Sequence, residues 1–172
     1  ITATYGQKGK YWANGHQGVD IISSNKTIYS TCDGKVRVVG YDAKGWGHYV
    51  SIGDNNSRIH LFCHLQEGTI KVKKGQKVSR TTIIGTMGTS GNSTGVHLHY
   101  QINNLQGVSM NPCSYLGTPN KKGTYNSADF QMIENYKDDN CKRYVLKPNE
   151  FSLKIYDNLI VLSSIIMLFS AK

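Results

Sequence analysis

The chain has 172 residues, of which 38% are hydrophobic and 18% charged. This composition excludes a disordered chain, and the length suits one domain with an appendage or two very small domains. Lys and Arg outnumber Asp and Glu by 20 to 11, and the net charge of +9 predicts an anionic environment such as nucleic acid, anionic lipid or a cell-wall polymer. The densest basic run, Lys71 to Lys77, is better explained as a solvated strand face than as a nucleic-acid patch, so we expect no nucleic-acid partner.

Short β-branched and aromatic runs dominate the first hundred residues. Residues 1–15 are rich in Gly and aromatics and predict a loop, and Asp33-Gly34 joins two runs as a hairpin turn does. Turn signals recur about every ten residues, which is typical of an all-β protein built as a small antiparallel β-sandwich or barrel. The predicted strands are Val19–Ile22, Thr27–Cys32, Lys35–Val39, His48–Gly53, Arg58–His64, Thr69–Lys73, Gln76–Val78, Thr82–Gly85 and Val96–Ile102.

The composition changes after Gly117, where a linker-like stretch, Thr118 to Gly123, begins. We therefore expect a main domain over 1–117 and a C-terminal extension over 118–172. Within the extension, Ser127 to Lys137 has the caps and spacing of a short helix, and residues 144–169 are β-like or a final hydrophobic segment. The apolar run Leu159 to Phe169 is far shorter than the ~20 residues of a membrane-spanning helix, so we expect no transmembrane span, with a truncated anchor as the alternative.

The four cysteines are Cys32, Cys63, Cys113 and Cys141, and no two of them form a CxxC pair. The chain has enough apolar residues to fold without disulfides, so we expect buried thiols. Cys113 and Cys141 are the only pair considered for a bridge. Cys63 precedes His64 on a predicted strand and is therefore expected to face the other side of the sheet.

All six histidines lie between residues 16 and 99. His97 and His99 are two apart on a predicted strand, so their imidazoles project side by side from one face. Such a pair suits two metal ligands, or one ligand and one acid/base group, although an isolated HxH is weak evidence. His16 and Asp20 lie where a loop runs into a strand. Taken alone they indicate a surface histidine and a turn acid, but one carboxylate with two imidazoles is also a common catalytic zinc set.

Seven motifs occur in a fixed order around these histidines. They are Gly15-His16-Gln17-Gly18-Val19-Asp20-Ile21, Cys32-Asp33-Gly34-Lys35-Val36, Gly45-Trp46-Gly47-His48-Tyr49-Val50, Phe62-Cys63-His64-Leu65, Lys74-Gly75-Gln76-Lys77-Val78, Ile84-Gly85-Thr86-Met87-Gly88 and Gly91-Asn92-Ser93-Thr94-Gly95-Val96-His97-Leu98-His99-Tyr100. In order and spacing they resemble the lysostaphin-like, LytM-type zinc metallopeptidases, which cut peptide bonds in bacterial peptidoglycan. The resemblance covers about residues 5–117 and does not reach the extension.

The resemblance implies that His16, Asp20 and His99 bind one Zn²⁺ ion. It also implies that His64 and His97 are the catalytic pair, which orient or deprotonate the attacking water and stabilise the oxyanion. Phe62 and Val96 stand where the family usually has Tyr and Pro. His60 and His64 lie on the same face of a predicted strand, so we expect His64 to point where His60 points. No family position corresponds to His60, and we expect His60 and His48 to be surface histidines.

The expected function is a zinc-dependent endopeptidase acting on cross-bridge or stem peptides of peptidoglycan. The resemblance implies an extracellular, cell-wall or virion-associated location, and the basic charge suggests contact with anionic wall polymers. The alternatives are a non-catalytic wall-binding or hydrolase-activating module on the same fold, and a zinc amidase. The extension has no histidine, so we expect it to be non-catalytic.

Overall fold

The structure is a computed structural model and describes residues 1–126. The predicted helix over 127–137, the predicted segment over 144–169 and Cys141 lie outside the described residues. Within residues 1–126 the chain forms short strands and one short helix. They are β1 Val19–Ile21, β2 Thr27–Tyr29, β3 Gly34–Asp42, β4 Gly47–Asp54, β5 Ile59–Leu65, β6 Lys77–Val78, β7 Ile83–Thr86, β8 Leu98–Asn103, β9 Ser109–Met110 and α1 Pro112–Leu116.

Two antiparallel sheets make up the fold. The larger has the strand order β1-β8-β5-β4-β3-β6, with β9 paired to β8, and the smaller consists of β2 and β7. One cluster of buried apolar side chains joins them, with Ile28 and Ile84 from the small sheet and Val50, Phe62 and Ile102 from the large one. The prediction of an all-β antiparallel fold is confirmed. No strand forms over the predicted Thr69–Lys73 run, and α1 was not predicted.

Strand β8, which lies between β1 and β5, separates the apolar core from a polar layer. Leu98, Tyr100 and Ile102 belong to the core cluster, because alternate residues of a strand share a face. The residues between them, His99 and Gln101, are also buried, with 9% and 2% of their surface exposed. Buried polar groups need hydrogen-bond partners, so the polar face of β8 must be covered by a network.

The segment after α1 is hydrogen-bonded to the start of the chain. The Asn120 side chain accepts from the backbone nitrogen of Tyr5 and donates to its carbonyl, both at 3.0 Å. The backbone nitrogen of Gly123 donates to the carbonyl of Ile1. The predicted linker is therefore tied to the N-terminal segment as far as residue 123.

His60 is not the surface histidine that we expected. It is fully buried, its Nδ1 lies 2.7 Å from the Tyr100 hydroxyl, and its Nε2 lies 3.2 Å from an Asp54 carboxylate oxygen. Burial lowers the pKa of His60 more than the Asp54 hydrogen bond raises it. Strand periodicity does not predict this burial, because the partners of His60 lie on the neighbouring strands β4 and β8. His48 is half-buried, and its ring packs 4.5 Å from that of Tyr41.

The prediction of buried thiols is confirmed for the cysteines that are described. Cys32, Cys63 and Cys113 are buried and free. Burial raises the pKa of Cys32 to about 12 and that of Cys63 well above its ordinary value, so both remain protonated at neutral pH.

Replacing Asp54 with Ala should lower the free energy of unfolding by ~3–5 kcal/mol, because the change leaves a buried guanidinium without its carboxylate. Asp54 accepts from Arg58 Nε at 2.6 Å and from the backbone nitrogens of Arg58 and Asn56, each at 2.9 Å. Urea unfolding measures the effect. Glu67→Ala, at an exposed position, is the control, and equal unfolding midpoints for the two variants would contradict the assigned role.

The same carboxylate should make stability depend on pH in the acid range. Burial raises the pKa of Asp54. Hydrogen bonds from His60 and Arg58, together with the attraction of Arg58, lower that pKa by more than burial raises it, so the folded pKa lies well below the ordinary value. Its stabilising contribution is therefore complete above an unfolded pKa of ~3.9 and declines as the pH falls below it. Unfolding free energies measured from pH 6 down to pH 2 should fall less steeply for Asp54→Ala than for the wild type.

Candidate metal centre and active site

His16, Asp20 and His99 meet at the junction of β1 and β8. Asp20 lies directly opposite His99 in the antiparallel ladder, and His16 precedes β1 in a loop held by a backbone hydrogen bond from its nitrogen to Gln7. His99 Nδ1 is 3.0 Å from both His16 Nε2 and an Asp20 carboxylate oxygen, and His16 Nε2 is 3.2 Å from that oxygen. The structure thus brings the three predicted ligands together in a triangle of donor atoms.

This triangle has the dimensions of a metal site. A tetrahedral zinc ion with ligands at ~2.0–2.1 Å separates its donor atoms by ~3.3–3.4 Å, so an opening of a few tenths of an ångström would admit the ion. Two imidazole nitrogens and one carboxylate oxygen are also the ligand types that zinc accepts. The residues present therefore fit a zinc ion.

Hydrogen bonds made by the outer ring nitrogens of His16 and His99 determine which nitrogen of each ring faces the centre. His16 Nδ1 lies 3.0 Å from the Thr4 carbonyl, to which it can only donate, and this leaves the Nε2 lone pair for the centre. His99 Nε2 lies 3.2 Å from the side-chain oxygen of Gln101, which leaves Nδ1 for the centre. Outer partners of this kind hold histidine ligands in one tautomer and orientation in metalloproteins.

The Asp20 carboxylate is buried and charged. Burial raises the pKa of Asp20, but while the His16 and His99 rings carry a proton towards it, their hydrogen bonds and electrostatic attraction outweigh burial and hold that pKa well below its usual range. The carboxylate is therefore ionised at neutral pH and only 8% exposed, which is the state needed to bind a cation.

His64 and His97 lie beside this triangle, with their rings 4.7 Å apart. His64 Nδ1 donates to the Ser90 carbonyl and His97 Nδ1 to the Gly95 carbonyl, both at 2.8 Å, so in the neutral form of each ring the lone pair is on Nε2. His97 Nε2 lies 3.7 Å from the Asp20 carboxylate. Burial lowers the pKa of His64 to about 4, and repulsion from His97 and His99 adds to the shift, so His64 is neutral at neutral pH.

His64 reaches this side of the sheet because its backbone leaves the strand conformation. Its φ of 59° is left-handed, a region that a non-glycine residue rarely occupies. The expectation that His64 points where His60 points is therefore wrong: His60 contacts Tyr100, whereas His64 contacts Ser90 and His97. The side predicted for Cys63 is also wrong, since Cys63 lies directly opposite His99 in the ladder and shares its face.

An open groove of about 350 Å³ lies over the five residues. One wall comes from the N-terminal loop, in which Tyr11 is exposed and the Trp12 ring packs 4.5 Å from the ring of His16. The opposite wall comes from the loop that precedes β8 and includes Thr94 and Val96. Sequence reasoning did not place these wall residues, although two aromatics just before His16 were a visible signal.

Gly18 gives the His99 ring the space that it occupies. A methyl group built on Gly18 would lie 2.5 Å from the Tyr100 carbonyl and 2.8 Å from His99 Cε1. A side chain at position 18 would therefore displace the His99 ring or the β8 backbone at Tyr100. This explains in physical terms why a glycine stands between His16 and Asp20.

Gly18→Ala should destabilise the protein by ~1–3 kcal/mol, the usual cost of overpacking, and should weaken metal binding by displacing His99. Thermal unfolding and titration with Zn²⁺ against a chelator measure the two effects. Gly9→Ala is the matched control, because a methyl group there meets nothing within 4 Å. Wild-type metal affinity in Gly18→Ala would refute this account of the glycine.

Comparison with known proteins agrees with this geometry. Residues 14–112, more than half of the chain, match the sequence model of peptidase family M23. The chain belongs to peptidase family M23. The resemblance to lysostaphin-like peptidases is thereby confirmed. Among the residues described, no helix is long and apolar enough to cross a membrane.

Two curated relatives carry different functional names. The chain is 41% identical over 88 residues to the peptidoglycan DD-endopeptidase ShyA of Vibrio cholerae, a match covering 51% of this chain and 20% of ShyA. It is 34% identical over 103 residues to the murein hydrolase activator NlpD of Escherichia coli, a match covering 59% of this chain and 26% of NlpD. The chain therefore corresponds to about a quarter or less of either relative.

Two solved structures share the fold. The catalytic domain of lysostaphin from Staphylococcus simulans matches with a TM-score of 0.59 and 26% identity, over 65% of this chain and 87% of that domain. A zinc-containing peptidase from Vibrio cholerae matches with a TM-score of 0.56 and 32% identity, over 64% of this chain and 35% of its own.

Proposed function

We propose that this chain is a zinc-dependent endopeptidase that hydrolyses peptide bonds in the cross-bridges or stems of bacterial peptidoglycan. One observation carries the proposal. The donor atoms of His16, Asp20 and His99 form a triangle with sides of 3.0–3.2 Å, and beside it lie two imidazoles whose Nδ1 atoms donate to backbone carbonyls, those of His64 and His97. A peptidoglycan endopeptidase and a zinc-containing peptidase among the relatives support the substrate and the metal.

In the proposed reaction His16, Asp20 and His99 would hold a zinc ion, and the groove over them would bind the peptide. A bound zinc ion would supply Lewis acidity and make water more acidic. The unprotonated Nε2 atoms of His64 and His97 can accept a proton from the attacking water, and the resulting imidazolium can stabilise the oxyanion and return the proton to the leaving amine. The carbonyls of Ser90 and Gly95 orient the two rings for these transfers.

The second candidate function is that of a non-catalytic activator, which is suggested by the name of the relative NlpD, a murein hydrolase activator. Such a role needs no metal ligands and no acid/base pair. The centre contains four histidines and one aspartate, and His16, His64 and His97 each donate to a backbone carbonyl. This arrangement favours the catalytic role. We also propose a location at the cell wall, since both curated relatives are named for peptidoglycan or murein. Contact with anionic wall polymers stays a prediction from net charge.

The five residues should separate into two groups when each is replaced by Ala. His99→Ala should lose both bound zinc and activity, because a three-ligand site loses a ligand. His64→Ala and His97→Ala should keep about one zinc per chain and lose ~10²–10⁴-fold in rate, as expected for a positioned acid/base group. Zinc content by mass spectrometry and hydrolysis of a small cross-bridge peptide provide the readouts, with His48→Ala as control.

The outcomes of that experiment distinguish the candidate functions. Loss of zinc in His64→Ala or His97→Ala would show that the roles are wrongly divided. Wild-type protein that binds zinc but cleaves no peptide, in isolated walls or in solution, would favour the activator. Mass spectrometry of digested walls with different cross-bridges identifies the bond, and release of peptide from the amino sugar would indicate an amidase.

We further propose that the C-terminal extension is not catalytic. The proposed ligands and acid/base residues all precede Gly117, but Asn120 and Gly123 are hydrogen-bonded to Tyr5 and Ile1. A chain ending at Asn126 should therefore keep zinc binding and hydrolysis of a small soluble peptide. A chain ending at Gly117 should be less stable, because it loses the contacts to the N-terminal segment. Loss of peptide hydrolysis in a folded, zinc-loaded 1–126 chain would show that the extension contributes to the active site.

A further inference from the structure

A polar ladder runs along one face of β8 from the candidate centre into the sheet. Its members are His99, Gln101 and Asn103, which are two residues apart and so project from the same face. His99 Nε2 is 3.2 Å from Gln101 Oε1, and Gln101 Nε2 donates to Asn103 Oδ1 at 2.8 Å. Gln101 is 2% exposed, so its amide depends on these neighbours.

The ladder fixes the direction in which the Gln101 amide points. Asn103 Oδ1 accepts a hydrogen bond, so it faces the nitrogen end of the Gln101 amide and leaves the oxygen end for His99. An oxygen beside His99 Nε2 stabilises the tautomer that is protonated there, since the oxygen can only accept. In that tautomer the lone pair of His99 is on Nδ1, the nitrogen 3.0 Å from Asp20 and from His16.

We propose that Gln101 is a positioning residue, oriented by Asn103, that holds His99 in the tautomer able to bind the metal. Without Gln101, the proton of His99 can move to Nδ1 and donate to the ionised Asp20 carboxylate. That arrangement satisfies Asp20 and removes a ligand from the centre. This inference rests on the proposed metal site, and it adds a residue that does not touch metal or substrate.

Two substitutions at position 101 separate the positioning role from packing. Gln101→Leu keeps the volume but removes the acceptor, and should weaken zinc binding ~10–100-fold, the usual effect of removing such a partner. Gln101→Glu keeps an acceptor beside His99 Nε2, and should stay within about threefold of the wild type. Competition with a chelator gives the affinities, and Gln106→Leu, in an exposed turn of the same chain, is the matched control.

A spectroscopic measurement on the metal-free protein tests the tautomer directly. Nitrogen-15 spectra of the imidazoles should show a larger fraction of His99 protonated at Nε2 in the wild type and in Gln101→Glu than in Gln101→Leu, in which protonation at Nδ1 should increase. If Gln101→Leu does not fold, Asn103→Leu gives the same test, because it frees the Gln101 amide to rotate and should weaken zinc binding between three- and tenfold. Unchanged zinc affinity, or an unchanged tautomer in the Leu variants, would overturn the proposal.

The two proposals can fail separately. Wild-type protein that binds no zinc contradicts the proposed function, and the tautomer measurement then still decides whether Gln101 positions His99. Wild-type protein that binds zinc, with a Gln101→Leu variant that binds it equally well, contradicts only the positioning role.

Discussion

The antiparallel pairing of β1 with β8 places Asp20 directly across from His99, and the centre depends on that register. A slip of one residue would bring Asp20 opposite Leu98 or Tyr100, whose side chains lie in the core. The register is held from both sides, since Val19 and Tyr100 are paired core residues and the N-terminal segment bonds to Asp20 through Thr2 and Ala3. The β1–β8 register therefore determines both the packing of the core and the geometry of the site.

His64 needs an irregular backbone to reach the site, because regular alternation along β5 would place its side chain in the core. The left-handed backbone at His64 costs ~1–3 kcal/mol, and the surroundings must hold it there. Ser90 does much of this: its hydroxyl donates to the Leu65 carbonyl at 2.7 Å and accepts from the His48 backbone nitrogen at 2.9 Å, while its carbonyl accepts from His64. The loop before β8 therefore positions both His64 and His97.

The parts of the site that follow from local periodicity were predictable from the sequence. His97 and His99 share a face because they are two residues apart, and the same rule places Gln101 and Asn103 on that face. The burial of His60 and the turned backbone of His64 were not predictable in this way. Both depend on residues outside strand β5. The partners of His60 are Asp54 and Tyr100, and those of His64 are Trp46 and Ser90.

Within residues 1–126, two aspartates with buried side chains contact histidine, and their remaining partners separate a structural network from a candidate metal centre. Asp54 faces His60, and the guanidinium of Arg58 at 2.6 Å balances its charge within the protein. Asp20 faces imidazole nitrogens of His16, His97 and His99 at 3.2, 3.7 and 3.0 Å. His16 donates through Nδ1 to the Thr4 carbonyl, and the Gln101 side-chain oxygen accepts from His99 Nε2, so the other nitrogen of each ring faces Asp20. The carboxylate and these two nitrogens converge on a point that a divalent cation would satisfy.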